Sequence, residues 1–481
     1  MPVTASAAAL LALLQVAAGA PPAGGPPARA QTDTGPVVLL DRFYAQVLAN
    51  HPVARAARLA RDQAAQDVRI ARGAFDPTIA ATWDRKAEKG SAKYSEVDAE
   101  LKLPTITGAD VKVGYSRGLG PSLNPQNGTA NAGLLALGVS LPLGQRIVTD
   151  ERRNALAQAR AALDFAEGDR LSLVNGLLLR ATRDYARWFE AWRRAAIARD
   201  GVGLADFRLR AVRLRLANGE APAIDTLEAR LEVNRREGIR VQEEQALYAA
   251  TLLLQAYLWD DRGQPVDLAD GARPANEGFA TPVALERVPT WLAAAERAHP
   301  ELAKVAARIR QVEAQRLFLG QQFIPFAALD VSAVSDADRT DGLTDAGGWG
   351  DNYKFGATFR SPVLYLRERG RFSQVTQRLD QQRQIEAQLR RDVRNAVLVG
   401  ANDVRAVDEQ IALQAVTVQQ ARGMLAGEQR RFENGESSLL IVNLRERLVL
   451  DEEVRLAALQ ARAAVVRAEL AVAIGAPARL P

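Results

Sequence analysis

The 481-residue chain contains no cysteine, only two histidines and 6% aromatic residues. The lack of cysteine excludes disulfides, thiolate metal sites, cysteine nucleophiles and a lipid-bearing N-terminal cysteine. The formal net charge is only +5, and the basic residues mostly alternate with Glu and Asp, as on solvated helix faces. No basic cluster is interleaved with aromatic residues of the kind that stack on bases. We therefore expect no nucleic-acid partner.

Long hydrophobic runs are also scarce. Residues 7–18 (AAALLALLQVAA) form an apolar run of signal-peptide length, and residues 28–30 (ARA) match a cleavage site, with residues 18–20 (AGA) as the alternative. We predict a signal peptide over residues 1–30, although no Lys or Arg precedes the apolar run. No other segment reaches about 18 uninterrupted apolar residues, so no transmembrane helix is predicted. An exported chain of this kind is either soluble or spans a membrane as β-strands.

The chain contains an internal duplication. Residues 215–220 (RLANGE) and 431–436 (RFENGE) share the pattern Arg-apolar-x-Asn-Gly-Glu. The two histidines, His51 and His299, each precede a proline, and the same offset relates Phe75 to Phe323. Repetition of this kind reports on the whole fold. We infer that one helix–strand–helix unit occurs twice, as repeat 1 (residues 37–258) and repeat 2 (residues 289–474), joined by an irregular connector over residues 259–288.

Apolar residues recur at steps of three and four over long stretches, which is the period of packed helices. Among them, Trp188 and Trp192 are interpreted as packing residues. Helices are predicted at about residues 37–73, 147–217, 222–258, 289–321, 366–433 and 438–474. A helix near 70 residues long extends roughly 100 Å, and the matched lengths of the two longest predict that they run side by side. An Asn-Gly pair at the end of each supplies the left-handed conformation that stops a helix.

Strict alternation of apolar and polar residues predicts strands with one wet and one apolar face. Four candidates lie within residues 77–142, where Val97, Ala99, Leu101 and Leu103 alternate with charged residues. Two more lie within residues 325–362. Alternating segments of about ten residues are the weak signature of transmembrane barrel strands, and a soluble sheet is the commoner source of such a pattern. The export signal and the flanking long helices favour the membrane interpretation.

The ordered set of motifs resembles the TolC family of outer-membrane efflux proteins. His-Pro opens each repeat, Phe-x-Pro marks helix entering strand at Pro77 and Pro325, and Pro142 and Pro362 mark strand returning to helix. The resemblance covers nearly all of residues 37–474. It implies a mainly α fold with a β-barrel part, in which two helix–strand–helix repeats form, as a homotrimer, a shared outer-membrane β-barrel and a long periplasmic α-helical barrel.

The same resemblance implies a function. The chain is expected to be a passive outer-membrane exit duct of a tripartite efflux pump or a type I secretion system. Its partners would be a periplasmic adaptor, an inner-membrane transporter and outer-membrane lipid, and no cofactor is expected. The alternative is an exported periplasmic coiled-coil scaffold without channel activity. An enzyme is not expected, because no nucleophile–base set, phosphate loop or metal cluster appears, and His51 and His299 are interpreted as helix-start residues.

Two departures from the family pattern stand out. The family usually supplies two strands per repeat, whereas repeat 1 has room for four, so the extra hairpin either enlarges the barrel or extends outside the cell. The tip is rich in arginine, whereas some family members carry acidic rings there. We therefore do not transfer an acidic, cation-binding gate to this chain.

The candidate site residues fall into three groups, with no catalytic or metal-binding residue among them. The first group forms the periplasmic tip turns: Asn218, Gly219, Glu220, Asn434, Gly435 and Glu436. The second group forms a possible gate: Arg215, Asp225, Glu428, Arg430 and Arg431. The third group marks the strand–helix junctions: Pro77, Pro142, Pro325 and Pro362. We predict that the arginines hold the entrance shut through inter-helix hydrogen bonds and ion pairs with acidic neighbours that include Glu220 and Glu436, because a docking partner can break such contacts.

Overall fold

The computed structural model describes residues 35–220, 222–275, 285–338 and 352–476. The predicted signal peptide, residues 1–30, lies outside the described residues, as does part of the predicted connector. None of the described helices combines the length and the apolar character needed to cross a bilayer.

Each repeat runs from helices into strands and back into helices. Repeat 1 contains β1 (Val37–Val38), α1 (Leu40–Asn50), α2 (Pro52–Gly73), β2 (Thr78–Glu88), β3 (Ser91–Pro104), β4 (Asp110–Leu119), β5 (Leu134–Pro142), α3 (Glu151–Ala217) and α4 (Ala223–Gln255). Then come β6 (Arg273–Pro274), α5 (Val288–Ala298), α6 (Pro300–Gln321), β7 (Phe326–Asp336), β8 (Tyr353–Arg360), α7 (Leu366–Glu433) and α8 (Leu439–Ile474).

The first helix of each repeat is broken at the His-Pro step, where the sequence predicted one continuous helix. His51 has φ −61° and ψ 133°, an extended conformation imposed by the ring of the following proline. Its Nδ1 accepts the backbone N–H of Val53 at 3.2 Å, so it caps α2. His299 caps α6 in the same way, accepting the N–H of Glu301 at 3.2 Å. Both histidines are therefore helix N-caps.

The two long helices do not run side by side, and that prediction is wrong. Helix α3 has 67 residues and α7 has 68, so each extends about 100 Å. Helix α3 packs against α2 and α6 towards the strands and against α4 and α8 towards the far end, whereas α7 packs against α6 and α8. Helices α6 and α8 therefore lie between the long pair. The matched lengths show that the two helices have equal span, but α3 is covered by shorter helices from both repeats and α7 by those of repeat 2.

A duplicated apolar core joins the short first helix of each repeat to the long helix. In repeat 1, Phe43 of α1 packs with Tyr185 and Trp188 of α3, and all three are almost fully buried. In repeat 2, Trp291 of α5 occupies the equivalent place against Val404 of α7. In repeat 1 the long helix supplies large aromatic residues to this core, whereas in repeat 2 the tryptophan lies on the short helix and the long helix supplies a small residue.

Six of the eight strands among the described residues form one antiparallel sheet in the order β2-β3-β4-β5-β7-β8. All four strands of repeat 1 belong to it, and β5 pairs with β7 to join the two repeats. The two hairpins of repeat 1 are therefore neighbours in a single continuous sheet.

The described part of the connector is anchored to the start of the chain. Strand β6 pairs in parallel with β1. The side-chain amide of Asn50 donates to the carbonyl of Trp259 at 3.0 Å, and Arg55 donates to the carbonyl of Asp261 at 2.7 Å. These contacts satisfy backbone groups that an irregular segment would otherwise leave unpaired.

Candidate gate at the tip of the helices

The first Asn-Gly turn closes α3 with a double hydrogen bond. Asn218 stays in the right-handed region, with φ −83°, and Gly219 takes the left-handed conformation, with φ +76°. The N–H of Glu220 donates to the carbonyl of Arg215 at 2.8 Å, and the N–H of Gly219 donates to that of Leu216 at 3.0 Å. This pair of bonds defines the Schellman motif and satisfies carbonyls that the helix end leaves free.

The second turn repeats the same geometry at the end of α7. Asn434 is right-handed and Gly435 has φ +78°. The N–H of Glu436 donates to the carbonyl of Arg431 at 2.8 Å, and that of Gly435 to the carbonyl of Phe432 at 3.0 Å. The duplicated Arg-apolar-x-Asn-Gly-Glu sequence is thus the sequence of a helix terminator.

The two turns lie next to each other. The guanidinium of Arg215 on α3 stands 5.5 Å from the ring centroid of Phe432 on α7, within the range of a cation–π contact. Beneath this contact, Phe432 packs against a small apolar cluster drawn from α3, α4 and α8: Leu209, Val212, Ala229 and Leu439. All four helices that reach the tip therefore meet in one place.

One of the predicted gate residues, Glu428, is buried in the tip. Its carboxylate accepts a hydrogen bond from the hydroxyl of Ser437, across the second turn. Arg431 lies 3.7 Å from the same carboxylate, one helical turn away. Glu428 therefore ties the end of α7 to the start of α8.

The remaining gate candidates stay at the surface of a single chain. Arg215, Arg430 and Arg431 are exposed, as are the two glutamates of the turns, and Asp225 is half-buried. Among the described residues, the guanidinium of Arg430 donates to the carbonyl of Ala426, at 3.3 Å. Within the part of the chain that the structure describes, no ion pair joins these residues from one helix to another.

A buried charge network that the sequence did not reveal lies further up the helices. Arg208 of α3 donates to the side-chain oxygen of Asn443 at 2.6 Å and to both carboxylate oxygens of Glu446, one of them at 3.0 Å. Only 2% of the Glu446 side chain is exposed. Because Arg208 is ten residues before Asn218, the network lies about 15 Å from the turns.

The same network includes α4. The Arg236 guanidinium donates to Glu446 at 2.7 Å, to Glu232 at 2.8 Å and to the carbonyl of Gly201 at 2.9 Å. Burial acts to raise the pKa of Glu232, but hydrogen bonds from Arg235 and Arg236 outweigh it and hold the pKa below its ordinary value. Three helices are thus joined by groups that are nearly all removed from solvent.

Only one of the pairings of Arg236 in this network could have been predicted from the sequence. Glu232 and Arg236 stand four positions apart, a spacing that pairs them on one helix face. Glu446 is 210 positions away from Arg236 in the chain. That pairing depends on α8 packing between α3 and α7, which periodicity alone does not report.

The four junction prolines lie where the chain changes between helix and strand. Pro77 and Pro325 immediately precede β2 and β7, Pro142 ends β5, and Pro362 lies between β8 and α7. The carbonyl of Pro325 accepts the N–H of Gln145 at 3.1 Å, so the junctions of the two repeats are bonded to each other.

Aromatic and arginine side chains surround these junctions. The Phe323 ring stacks on Tyr365, with centroids 6.1 Å apart, and packs edge-on against Phe372. In repeat 1, the guanidinium of Arg152 stands 5.6 Å from the ring centroid of Phe75. The phenylalanine of each Phe-x-Pro motif thus anchors the following strand to the helix that leaves the sheet.

The family model for outer membrane efflux proteins matches residues 43–258 and 291–476, which is most of both repeats. The chain belongs to the outer membrane efflux protein family. The resemblance inferred from the motifs is confirmed. No curated protein sequence is significantly similar to the chain.

Solved structures of outer membrane channels and of an outer membrane protein share this fold. The chain resembles the CmeC outer membrane channel of Campylobacter jejuni at 12% identity, with a TM-score of 0.59, over 91% of this chain and 86% of the other. It resembles VceC of Vibrio cholerae at 16% identity, with a TM-score of 0.60, over 92% and 97%. The open state of MtrE from Neisseria gonorrhoeae matches at 15% identity, with a TM-score of 0.61, over 92% and 89%.

Membership of the outer membrane efflux protein family and this shared fold confirm three predictions from the sequence. The fold class is that of an outer-membrane efflux channel, with a helical and a strand part. The protein belongs to the outer membrane. Its role is efflux, as the family description states, and the matched proteins CmeC and MtrE are outer membrane channels.

Proposed function

We propose that the protein is the passive exit duct of a tripartite efflux pump or a type I secretion system and that it acts as a homotrimer. It has no chemistry of its own. An inner-membrane transporter supplies the energy, and a periplasmic adaptor couples that transporter to the helical tip.

The observation that carries this proposal is an exposed apolar face on the sheet. Ile79 and Trp83 on β2 are 80% and 67% exposed, and Phe355 and Phe359 on β8 are 59% and 73% exposed. A large apolar surface of this kind in water marks an interaction site or a membrane surface. On a sheet whose other face is polar, it fits contact with lipid tails outside and water inside.

The helices support assembly from several copies. Helices α4 and α7 lie at the two outer sides of the helix layer, and they expose apolar residues such as Tyr248 on α4 and Leu413 on α7, at 68% and 70%. Packing of α4 from one copy against α7 of the next buries both sides. Repetition of that contact closes a ring around a water-filled lumen.

The tip arginines serve as the gate in this assembly. In a single chain, Arg215, Arg430 and Arg431 are exposed. In the proposed trimer, the arrangement of copies around a central axis brings these arginines near acidic residues of the neighbouring copies, namely Glu220, Asp225 and Glu436. Contacts of this type hold the helix ends together while water remains nearby, so a docking adaptor exchanges them for its own contacts.

An adaptor surface is available beside the gate. Exposed Leu231 of α4 faces exposed Leu440 and Leu444 of α8 across a groove flanked by Arg235 and Arg447. Apolar side chains with a charged rim suit a helical partner that lays its apolar face into the groove. This surface lies next to the buried charge network, because Glu232 and Asn443 also line the groove.

Purification and reconstitution test the proposal. We expect detergent-dependent, heat-modifiable trimers that form pores in planar bilayers. A soluble, detergent-independent rod without pore activity would support the scaffold alternative instead.

Single-channel conductance tests the gate. Arg215→Ala and Arg431→Ala should each raise the conductance of the isolated duct, because each removes a contact that holds the tip closed. Arg378→Ala, an exposed arginine on α7 far from the tip, is the matched control and should leave conductance unchanged. Unchanged conductance in both tip variants would contradict the assigned gate.

A further inference from the structure

The hairpin that the sequence left unassigned is continuous with the rest of the sheet. Strands β2 and β3 pair over eleven positions, and β3 pairs with β4 over ten. Thr82, Asp98, Ser116, Leu134 and Asp336 stand side by side in one row across β2 to β7. No break in register separates the β2–β3 hairpin from the strands that join the two repeats.

The apolar face is equally continuous. A second row starts at Ile79 on β2, three positions before Thr82. Its members on the following strands are Leu101, Val113, Leu137 and Ala333. This row is apolar on each of the five strands from β2 to β7, and it begins in the hairpin. A hairpin that projected beyond the membrane would expose its part of the row to water, whereas the other strands would bury theirs in lipid.

The hairpin is also long enough to span the bilayer. Strands β2 and β3 have 11 and 14 residues. A tilted transmembrane strand needs about 9–11 residues. The length of β2 and β3, their register and the direction of their apolar face therefore all fit a hairpin that spans the bilayer.

Both edges of the sheet lack a partner strand among the described residues. These edges are β2 and β8. Because every neighbouring pair is antiparallel and the sheet holds six strands, β8 runs opposite to β2. An unpaired edge is not tolerated in lipid, and β8 of one copy has the direction needed to pair with β2 of the next.

We propose that all six strands of each chain stand in the barrel wall, so that a trimer closes an eighteen-stranded barrel through β8–β2 pairing between copies. The inference rests on the trimeric exit duct proposed above. With strands about 4.8 Å apart and tilted by about 40°, eighteen strands enclose a backbone circle about 36 Å across, against about 24 Å for twelve. The outer-membrane part of the duct is then wide, and the helical tip controls passage.

Electron cryo-microscopy of the full-length protein in lipid nanodiscs counts the strands directly. We expect a trimer with eighteen strands. A trimer with twelve wall strands and the β2–β3 hairpin outside the wall would overturn this inference and leave the exit duct intact. A protein without a shared barrel would overturn the proposed function itself.

Disulfide cross-linking in membranes tests the edge pairing independently, since the natural chain has no cysteine. Thr82→Cys on β2 is combined in turn with Lys354→Cys, Gly356→Cys and Thr358→Cys on β8, all on the polar face. Ser116→Cys on β4 is the matched control, because it shares the row and face of Thr82. We expect cross-linked trimers from Thr82 only. Cross-linking from Ser116 only, or from neither position in a trimeric protein, would overturn the β8–β2 pairing.

Discussion

Replacing Glu446 by Gln should loosen the tip half of the helical layer. The buried network holds two guanidinium groups, Arg208 and Arg236, against two carboxylates, Glu446 and Glu232. Glu446→Gln keeps the shape of the side chain and removes one negative charge. Two buried cations then share one carboxylate, and the amide group of the new side chain faces guanidinium donors that it cannot satisfy.

The magnitude follows from burial. Removing one member of a buried ion pair costs about 3–5 kcal/mol, because the partner charge stays desolvated. Arg208 keeps 17% of its side chain exposed and can recover some hydration, so the lower end applies. We expect a loss of about 3 kcal/mol in the local opening free energy of α3, α4 and α8.

Hydrogen–deuterium exchange of the purified protein measures this loss. Where local closing is faster than chemical exchange, about 3 kcal/mol corresponds to roughly 100-fold faster exchange of amides near Arg208 and Glu446. Glu469→Gln is the matched control, because Glu469 also links α8 to α3, through Arg183 at 2.7 Å, but both side chains are substantially exposed. An exposed pair contributes less than about 1 kcal/mol, which gives less than roughly fivefold acceleration.

Equal acceleration in the two variants would refute the reasoning, because burial would then have no effect on the cost. A double variant gives a second check. Arg208→Gln added to Glu446→Gln restores the balance between Arg236 and Glu232, so exchange should slow relative to Glu446→Gln alone. Additive effects of the two changes would show that the groups do not act as one network.

Two further predictions concern the helix ends. Burial lowers the pKa of His51, with the charge of Arg180 acting in the same direction, and it lowers that of His299 despite Glu301. The histidines cap their helices as neutral rings. Their contribution to the stability of the folded state is therefore complete above about pH 6.5, the unfolded-state pKa, and is lost as the pH falls through the lower folded-state pKa. Replacing both histidines by Asn keeps a capping oxygen but removes the titrating ring. The drop in melting temperature between pH 7.5 and 5.5 should therefore be smaller in this variant. An unchanged drop would contradict the assignment of the histidines as caps. At the turns, Gly219→Ala and Gly435→Ala should each cost about 1–2 kcal/mol, because a side chain is strained at positive φ even where nothing lies nearby. Gly203→Ala, in a right-handed part of α3 with equally open space, should not speed exchange at the helix end, and an equal effect there would contradict the turn argument.

The features predicted well from the sequence are local ones. The long helices end at Ala217 and Glu433 because the next two residues are Asn-Gly, and a glycine at positive φ stops a helix wherever the rest of the chain lies. The strands follow from period-two alternation, which reports the two faces of a strand without naming its neighbours. Duplication then supplied the family resemblance.

Two sequence expectations failed, each for a different reason. The first helix of each repeat breaks at His51 and His299, where the restriction on a residue before proline outweighs an otherwise helical pattern. The long helices are separated by α6 and α8 because a helix layer is covered by whichever apolar faces fit. Period alone does not identify the neighbour.

The sequence by itself determined the elements of this protein, the two turns that end its long helices, and the two-faced strands of an outer-membrane efflux protein. These are set by backbone conformations and by the spacing of apolar residues along a few turns or pleats. Tertiary structure alone decided that Arg208, Arg236 and Glu446 share one buried site and that the extra hairpin joins a six-stranded sheet. Both depend on contacts between segments far apart in the chain, whose energies arise only when the helices pack and the strands pair.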